Sequence, residues 1–399
     1  MVTKINDTLY RIGTNDRKKA LFENNWPLPY GIAYNSYLFT DTKTALLDTI
    51  EYGSDNAYTE EIARTLDGRD LDYLVIHHME PDHAGMIGQL LSTYPSATVV
   101  SNSRAFKLLD AYFPQADNKR REVKEGDTLD LGRHCLKFAM TPMVHWPESM
   151  VSYDTTDRIL FSQDAFGTFG TLDGGIFDDE INIDFYKEEM LRYYANIVCR
   201  FSAQVQKAFE KIASLPVDII CPVHGPVWRS DPSAVFALYD KWSRHIAEEG
   251  VVIIYASMYG NTEHTADYIA RRLAEQGVKN IRIYNASTTH PSFLLREIWK
   301  YKGVILGSCS YNTGMHPLMQ HLCSEVEIMS PKNKVFTLFG GYSWSGGGLK
   351  NLQLFSQKMT QQHQWKEVAD GIEILGNPTP AALSQFDDVA VAFAEALKN

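Results

Sequence analysis

The stretch VIHHMEPDHAG, residues 75–85, places His78, Glu80, Asp82 and His83 within six positions at the end of the apolar run LDYLVI. Two imidazoles and two carboxylates are donor types that hold a metal cation, and burying them without compensation is costly. Side chains two apart on a strand point the same way, so His78 and Glu80 can serve one centre. Asp82 and His83 follow in a turn begun by Pro81 and can reach a second centre beside it. His77 then faces away from the first centre, as a supporting or packing residue. The competing reading is a solvated loop that happens to be rich in charge. Three further candidates stand at the C-terminal ends of apolar runs: His145 in FAMTPMVHWPESM, Asp164 in RILFSQDAFG and His224 in VDIICPVHGPVW. Each alone is compatible with a hydrogen-bonded structural role. Together the seven are the pieces of a binuclear metal site, with one carboxylate available as a bridge.

A second group of residues has the chemistry of a phosphate and ring site. SMYGNT, formed by Ser257, Met258, Tyr259, Gly260, Asn261 and Thr262, follows the apolar run VVIIYAS and opens a helical pattern. Hydroxyls and backbone N–H groups at a helix N-terminus bind anions. No lysine follows, so this is not a nucleoside-triphosphate P-loop, and one phosphate monoester fits better. SCSYNTG supplies Ser308, Cys309, Ser310, Tyr311, Asn312 and Gly314. GGYSWSGGG supplies Tyr342, Ser343, Trp344, Ser345, Gly346 and Gly347. Both loops close later apolar runs, where ligands of open parallel sheets bind. Tyr311, Tyr342 and Trp344 can stack on a flat heteroaromatic ring. Gly346, Gly347 and Gly348 let backbone approach it. The plain alternative is a set of ordinary strand-to-helix turns with exposed aromatics.

The elements that must position these groups fall into two regions. From Met1 to about Ala247, short β-like runs (AYNSYLF, KTALLDTI, LDYLVIHH, SATVV, CLKFAMT, SMVSYD, RILFSQD) come in quick succession. A long helical pattern then runs from Phe185 to Leu215, followed by the strand-like VDIICPVHG. This mixture predicts a layered αβ domain over 1–248. From Val251, strand and helix patterns alternate regularly, which predicts an α/β domain over 249–399 with a doubly wound parallel sheet.

Composition bounds the rest. A chain of 399 residues suits two domains, and 44% hydrophobic with 22% charged residues is ordinary for a soluble globular protein. The net charge of −11 argues against a general nucleic-acid binder and suits a basic partner. No apolar run approaches the roughly 20 residues that span a bilayer. MVTKINDTLYRIG has no signal-peptide core, so no membrane association and a cytoplasmic location are expected. Cys135, Cys199, Cys221, Cys309 and Cys323 form no CxxC pair, which argues against a disulfide framework and a thiolate metal site.

HxExDH, then His145, Asp164 and His224 at these separations, resembles the metallo-β-lactamase-like domain of the flavodiiron proteins. S-x-Y-G-N-T with the two later loops resembles flavodoxin. Both motif sets stand in that family's order, and the likeness covers nearly the whole chain. It implies a metallo-β-lactamase-like αβ/βα sandwich followed by a flavodoxin-like domain, with FMN and two non-haem iron ions as cofactors. It also implies a division of ligands: His78, Glu80 and His145 on one iron, Asp82, His83 and His224 on the other, Asp164 bridging. Zinc relatives of the superfamily usually show HxHxDH. Glu80 here is a hard anionic donor, which favours iron over zinc. The implied activity is reduction of dioxygen to water, with reduction of nitric oxide to nitrous oxide as the alternative. The chain resembles the minimal two-domain class, which takes electrons from an external donor such as rubredoxin and forms a head-to-tail homodimer or a dimer of dimers. Many members carry a histidine in an FHG-like stretch near the iron pocket; here the comparable stretch is LFENNWPLPYG, so Trp26, Tyr30 or Tyr34 is expected to line the pocket instead. Members with a similar FEN-W-PLP stretch are regarded as oxygen reductases, which favours oxygen. A binuclear zinc hydrolase fused to flavodoxin is the main rival. A pure electron carrier with a relic first domain is a third reading.

Overall fold

A computed structural model describes residues 1–398, which separate into two compact units, the first Met1–Asp240 and the second beginning at Lys241. In the first, a seven-stranded sheet runs in the order Val2–Lys4, Leu9–Asp16, Ile32–Thr40, Thr44–Leu47, Tyr73–Val75, Thr98–Ser101, Arg120–Glu122. A five-stranded sheet runs Thr128–Asp130, Cys135–Met140, Met150–Asp154, Ile159–Gln163, Ile219–Pro222. Each begins antiparallel and ends with parallel pairing.

The strand Ile32–Thr40 shows why the two sheets pack in layers. All but its last residue are buried, and successive side chains point to opposite faces. Tyr37 and Phe39 meet Phe161 of the other sheet, with ring centroids 5.4 and 5.6 Å apart. Ser36, on the opposite face, accepts from Tyr58 Oη at 2.8 Å, at the start of the helix Tyr58–Leu66. A strand buried on both sides needs a sheet on one face and a helix on the other, which is the αβ/βα sandwich. Each fully buried Leu, Ile or Phe contributes about 1.5–3 kcal/mol.

The helical pattern at 185–215 is not one helix. Ile183–Tyr193 is α-helical, Tyr194–Val198 makes a π turn, Cys199–Phe201 a 3₁₀ turn, and Ser202–Ile212 resumes the α-helix. The Asn196 side-chain amide donates to Arg192 O at 2.6 Å, competing with the backbone ladder. Such turns concentrate at functional sites.

In the second unit the parallel sheet runs Ile281–Asn285, Glu248–Ala256, Tyr301–Tyr311, Val335–Tyr342, then Lys366–Glu367 and Ile372–Leu375. Val251–Ala256 is wholly buried, as a strand covered on both faces must be. Val251, Ile253 and Tyr255 share one cluster with Ile269 and Leu273 of the helix Asn261–Glu275 and Phe386 and Phe393 of the helix Phe386–Lys398. Pro291–Lys300, Pro317–Met329 and Gly348–His363 complete the helices packed on the sheet. The sheet is flavodoxin-like: its first strand is second in spatial order, so the chain reverses direction beside it.

Candidate functional site

The strand Tyr73–Val75 ends before the histidines, and Ile76–Glu80 leaves its end as an irregular segment. Glu80 is the N-cap of the short helix Pro81–Ala84, whose Pro81 supplies the fixed φ of a first helical residue. Asp82 and His83 lie in that helix. His145 lies between Cys135–Met140 and Met150–Asp154, Asp164 directly after Ile159–Gln163, and His224 two residues after Ile219–Pro222. The strand ends bring all seven together.

His78, Glu80, His145 and Asp164 form one group whose donor atoms lie within 4.8 Å of one another, and Asp82, His83 and His224 form another. Asp164 stands between them. The Nε2 atoms of His78, His83, His145 and His224 lie 3.7, 3.7, 3.5 and 3.6 Å from its carboxylate oxygens. All seven residues are buried. Asp82 Oδ2 is 3.0 Å from His224 Nε2, yet His78 Nε2, both Asp82 oxygens, Asp164 Oδ2 and His224 Nε2 have no hydrogen bond of acceptable alignment. Buried polar atoms without partners are rare. Here they fall into two groups whose donor atoms lie within 4.8 Å of one another, an arrangement that a pair of cations satisfies. The donor set of imidazole and carboxylate without thiolate suits iron.

Electrostatics say the same. Burial would push His78 down, but hydrogen bonds to Glu148 and Glu80 and the Asp164 charge hold it up at about 9. His145 and His224 are likewise raised against the effect of burial, through Asp164 and Glu80 for His145 and through Asp82 for His224. Burial pushes the Asp164 carboxyl up, yet His83 and His145 bring it well below the ordinary range. The carboxylates call for positive charge at the centre.

The histidines are held from behind. His78 Nδ1 is 2.6 Å from Glu148 Oε1, and His224 Nδ1 donates to Ala33 O at 3.0 Å, leaving each Nε2 for the centre. His77 turns the other way: its Nδ1 is 2.7 Å from Asp48 Oδ2 and its Nε2 2.8 Å from Ser152 Oγ. Tyr193, the last residue before the π turn, donates from Oη to Asp164 Oδ1 at 2.8 Å. Tyr193, Glu148 and Trp146, whose ring is 5.0 Å from His78, are site residues that the sequence reasoning missed. Glu148 lies three residues after His145 and could have been flagged from that spacing. Tyr193 carried no local signal.

Of the three proposed pocket residues, Tyr34 stands against His224 with ring centroids 5.5 Å apart. Trp26 acts one step removed. Its Nε1 donates to Glu23 at 3.0 Å, and the Glu23 carboxyl bears on Glu80 and His145. Tyr30 is a correction: it is 54% exposed and its ring meets Phe185 edge-on at 5.1 Å, in a separate surface cavity with Arg17 and Asp173. Lying beyond the end of the Trp26–Pro27 strand, it is free to turn outward.

In the second unit one cavity is lined by Ser257, Met258, Tyr259, Asn261 and Thr262 of the first loop, Cys309, Ser310 and Asn312 of the second, and Tyr342, Ser343, Trp344 and Ser345 of the third. Gly260 has φ +93° at the N-cap of Asn261–Glu275, and its N–H donates to Ser257 Oγ at 3.0 Å. Tyr259 and Trp344 are 92% and 77% exposed, apolar surface that a bound ring would cover. Several expectations need correction. Ser308 is fully buried, its Oγ accepting from His316 N at 3.0 Å. Tyr311 points toward His316 instead of the cavity, and Gly314 pairs in a short strand. Gly347 and Gly348 serve loop-to-loop packing: a Cβ at Gly347 would lie 2.1 Å from Thr313 O, and one at Gly348 2.5 Å from Ser308 O, whereas one at Gly346 would meet the Glu373 carboxylate of the strand Ile372–Leu375 at 2.8 Å. Thr313, Gly341 and Gly376 line the cavity without having been predicted. Gly376 comes from a fourth loop, tied to the first by Asn261 Nδ2 donating to its carbonyl at 3.2 Å.

Residues 32–225 match the ODP family beta lactamase, and residues 253–379 match the flavodoxin family. The chain is 34% identical over 354 residues to an anaerobic nitric oxide reductase flavorubredoxin of Escherichia coli O1:K1 / APEC, covering 86% of this chain and 74% of that protein. Its fold superposes on rubredoxin oxygen:oxidoreductase from Desulfovibrio gigas with a TM-score of 0.93 at 32% identity, covering 100% of this chain and 99% of the other. The flavodiiron protein from Giardia intestinalis shares the fold at a TM-score of 0.94 and 24% identity, over 100% of this chain and 97% of the other. With the two donor groups at the strand ends of one unit and the loop-lined cavity in the other, the chain belongs to the flavodiiron protein family.

Proposed function

We propose that residues 1–248 hold a non-haem di-iron centre, that residues 249–399 hold FMN, and that the protein reduces dioxygen with electrons from an external, rubredoxin-like donor. The observation that carries this is the convergence of unpartnered His78, Asp82, Asp164 and His224 atoms on two adjacent centres. His78, Glu80 and His145 would hold one iron, Asp82, His83 and His224 the other, with Asp164 common to both. When bound, the iron pair supplies one-electron redox chemistry and FMN supplies a two-to-one electron step.

The chain's own residues set up that chemistry. Glu148 and Ala33 O fix which nitrogens of His78 and His224 face inward. Tyr193 holds one oxygen of Asp164. Phe22, 5.7 Å from His224 and edge-on, shields the pocket from water. Thr262 and the first N–H groups of Asn261–Glu275 suit a phosphate, and Tyr342 and Trp344 suit a ring. Nitric oxide reduction is the second reading, favoured by the flavorubredoxin relative.

Metal analysis, an optical spectrum and gas consumption with reduced rubredoxin test the proposal together. Expected are two irons and one FMN per chain and faster consumption of oxygen than of nitric oxide. Stoichiometric zinc with thioester or lactam hydrolysis would overturn it.

A further inference from the structure

The turn that carries His224 is gripped by one buried strand, Ile32–Thr40. The Ala33 carbonyl accepts from His224 Nδ1 at 3.0 Å, and Asn35 N donates to Val223 O at 2.7 Å. Tyr37 Oη donates to Pro222 O at 2.6 Å. The Asn35 side chain adds two bonds: its Nδ2 donates to Pro222 O and to Gly225 O, each at 2.9 Å. The side-chain amide thus ties the carbonyls on both sides of His224, provided that its nitrogen and not its oxygen faces the turn.

Arg11 decides which way the amide faces. Its Nε donates to Asn35 Oδ1 at 2.8 Å, and its Nη2 to Tyr34 O at 3.4 Å. A guanidinium only donates, so the Asn35 oxygen must face Arg11 and the nitrogen must face the turn. Gly13 pairs with Asn35 across the sheet and leaves room for this contact: a Cβ there would lie 2.7 Å from Arg11 Cζ and 2.2 Å from Tyr34 O. Arg11 and Asn35 are both buried, and Arg11 makes no ion pair among the described residues. Burial pushes the guanidinium down to about 10 against the Glu61 charge, so it stays charged at neutral pH. A buried charge without a carboxylate partner is costly, and an apolar side chain of similar volume is often as good or better for stability. Fold stability alone therefore does not call for an arginine at this position.

We propose that Arg11 and Asn35 are positioning residues for the metal held by Asp82, His83 and His224, with the buried guanidinium locking the Asn35 amide onto the His224 turn. The inference rests on the reading in the preceding subsection. The lock serves one metal of the two. His78 is oriented by Glu148, and Glu80 and His145 lie in segments that the Asn35 side chain does not touch. Without Arg11 the amide is free to turn its oxygen toward the carbonyls of Pro222 and Gly225, which repel it. The turn then loosens and His224 with it, while the first donor group keeps its supports.

The test titrates the full-length, metal-free protein with ferrous iron against a competing chelator, without oxygen, and follows urea unfolding in parallel. Arg11→Met is expected to keep one iron at wild-type affinity and to weaken the other about 10–100-fold, the usual effect of loosening a metal-bound histidine. Arg11→Lys keeps a charged donor and is expected to recover most of that affinity. Asn35→Asp keeps an acceptor for Arg11 but turns a carboxylate oxygen to Pro222 O and Gly225 O, and is expected to lose the same iron. Two irons at wild-type affinity in Arg11→Met overturn the proposal. So does equal weakening of both irons, or weakening that only follows the unfolded fraction, since each marks a general packing role. Where Arg11→Met does not fold, Asn35→Asp decides, and failure of both to fold overturns the proposal by making the pair a support of the whole unit. A wild type that takes two zinc ions but no iron overturns the preceding reading alone, and the same titration with zinc then decides the lock. A wild type that takes neither metal overturns both.

Discussion

Asp164 is the residue on which both donor groups depend, because four imidazole nitrogens approach its two oxygens. Asp164→Asn keeps the shape but removes the charge that two neighbouring cations require. The expected outcome is loss of one or both irons by metal analysis, with FMN and circular dichroism unchanged. His77→Asn probes the opposite direction. His77 is bonded to Asp48 and Ser152, so both irons should remain. Its cost should instead appear in stability, about 1–3 kcal/mol, from the buried partners left unsatisfied. Glu148 is intermediate: it does not face the centre but orients His78. Glu148→Ala should weaken iron binding about 10–100-fold in a chelator competition, the usual effect of removing a residue that orients a metal-bound histidine. An unchanged chelator titration would show that His78 is oriented by something else.

At the scale of elements, turns and loops decide whether the side chains arrive. Gly225 follows His224 with φ +74°, and a Cβ there would lie 2.1 Å from Thr168 Oγ1. Its carbonyl also accepts from Asn35 Nδ2 at 2.9 Å, anchoring the turn. Gly225→Ala should therefore cost about 1–3 kcal/mol from strain and overpacking and displace His224. Urea unfolding and iron content would show the two effects together. In the second unit, Gly347 lets the third loop touch the second. Gly347→Ala should lower FMN affinity, measured by fluorescence titration, while leaving the melting temperature within a few degrees. Retention of full FMN affinity would mean that loop-to-loop contact does not shape the cradle.

For the molecule as a whole, acid should weaken the second unit through His245. Burial first, then the charges of Lys332 and Lys334, push this imidazole down to about 4. Its Nδ1 accepts from Lys332 N at 3.3 Å, which requires the neutral ring. The unfolded chain binds that proton near pH 6.5 and the folded chain only near 4, so stability is present above 6.5 and is lost as pH falls through this window. Because His245 is only half-buried, solvent screening reduces the effect to about 1 kcal/mol. Urea midpoints of wild type and His245→Asn should converge as pH drops from 7 to 4. Parallel curves would assign the acid sensitivity elsewhere.

Both donor motifs were legible in the sequence because they are local. HxExDH and SMYGNT carry their chemistry within six residues, and strand ends with alternating apolar runs announce where such loops sit. The order of the two folds was legible for the same reason, since periodicity of two and periodicity of 3.6 are properties of short windows. What the sequence could not contain was the set of partners brought in from far along the chain. Tyr193, the last residue of Ile183–Tyr193, reaches Asp164 across 29 positions of the chain. Gly376 joins the cradle only because its strand is last in the sheet and its loop returns beside Asn261. Gly347 and Gly348 of GGYSWSGGG read as room for a ligand, and the fold uses them as room for the SCSYNTG loop. Residue type and spacing state what a side chain can bind. Which side chain stands opposite it is decided by packing, because contacts across tens or hundreds of residues leave no periodic trace in the sequence.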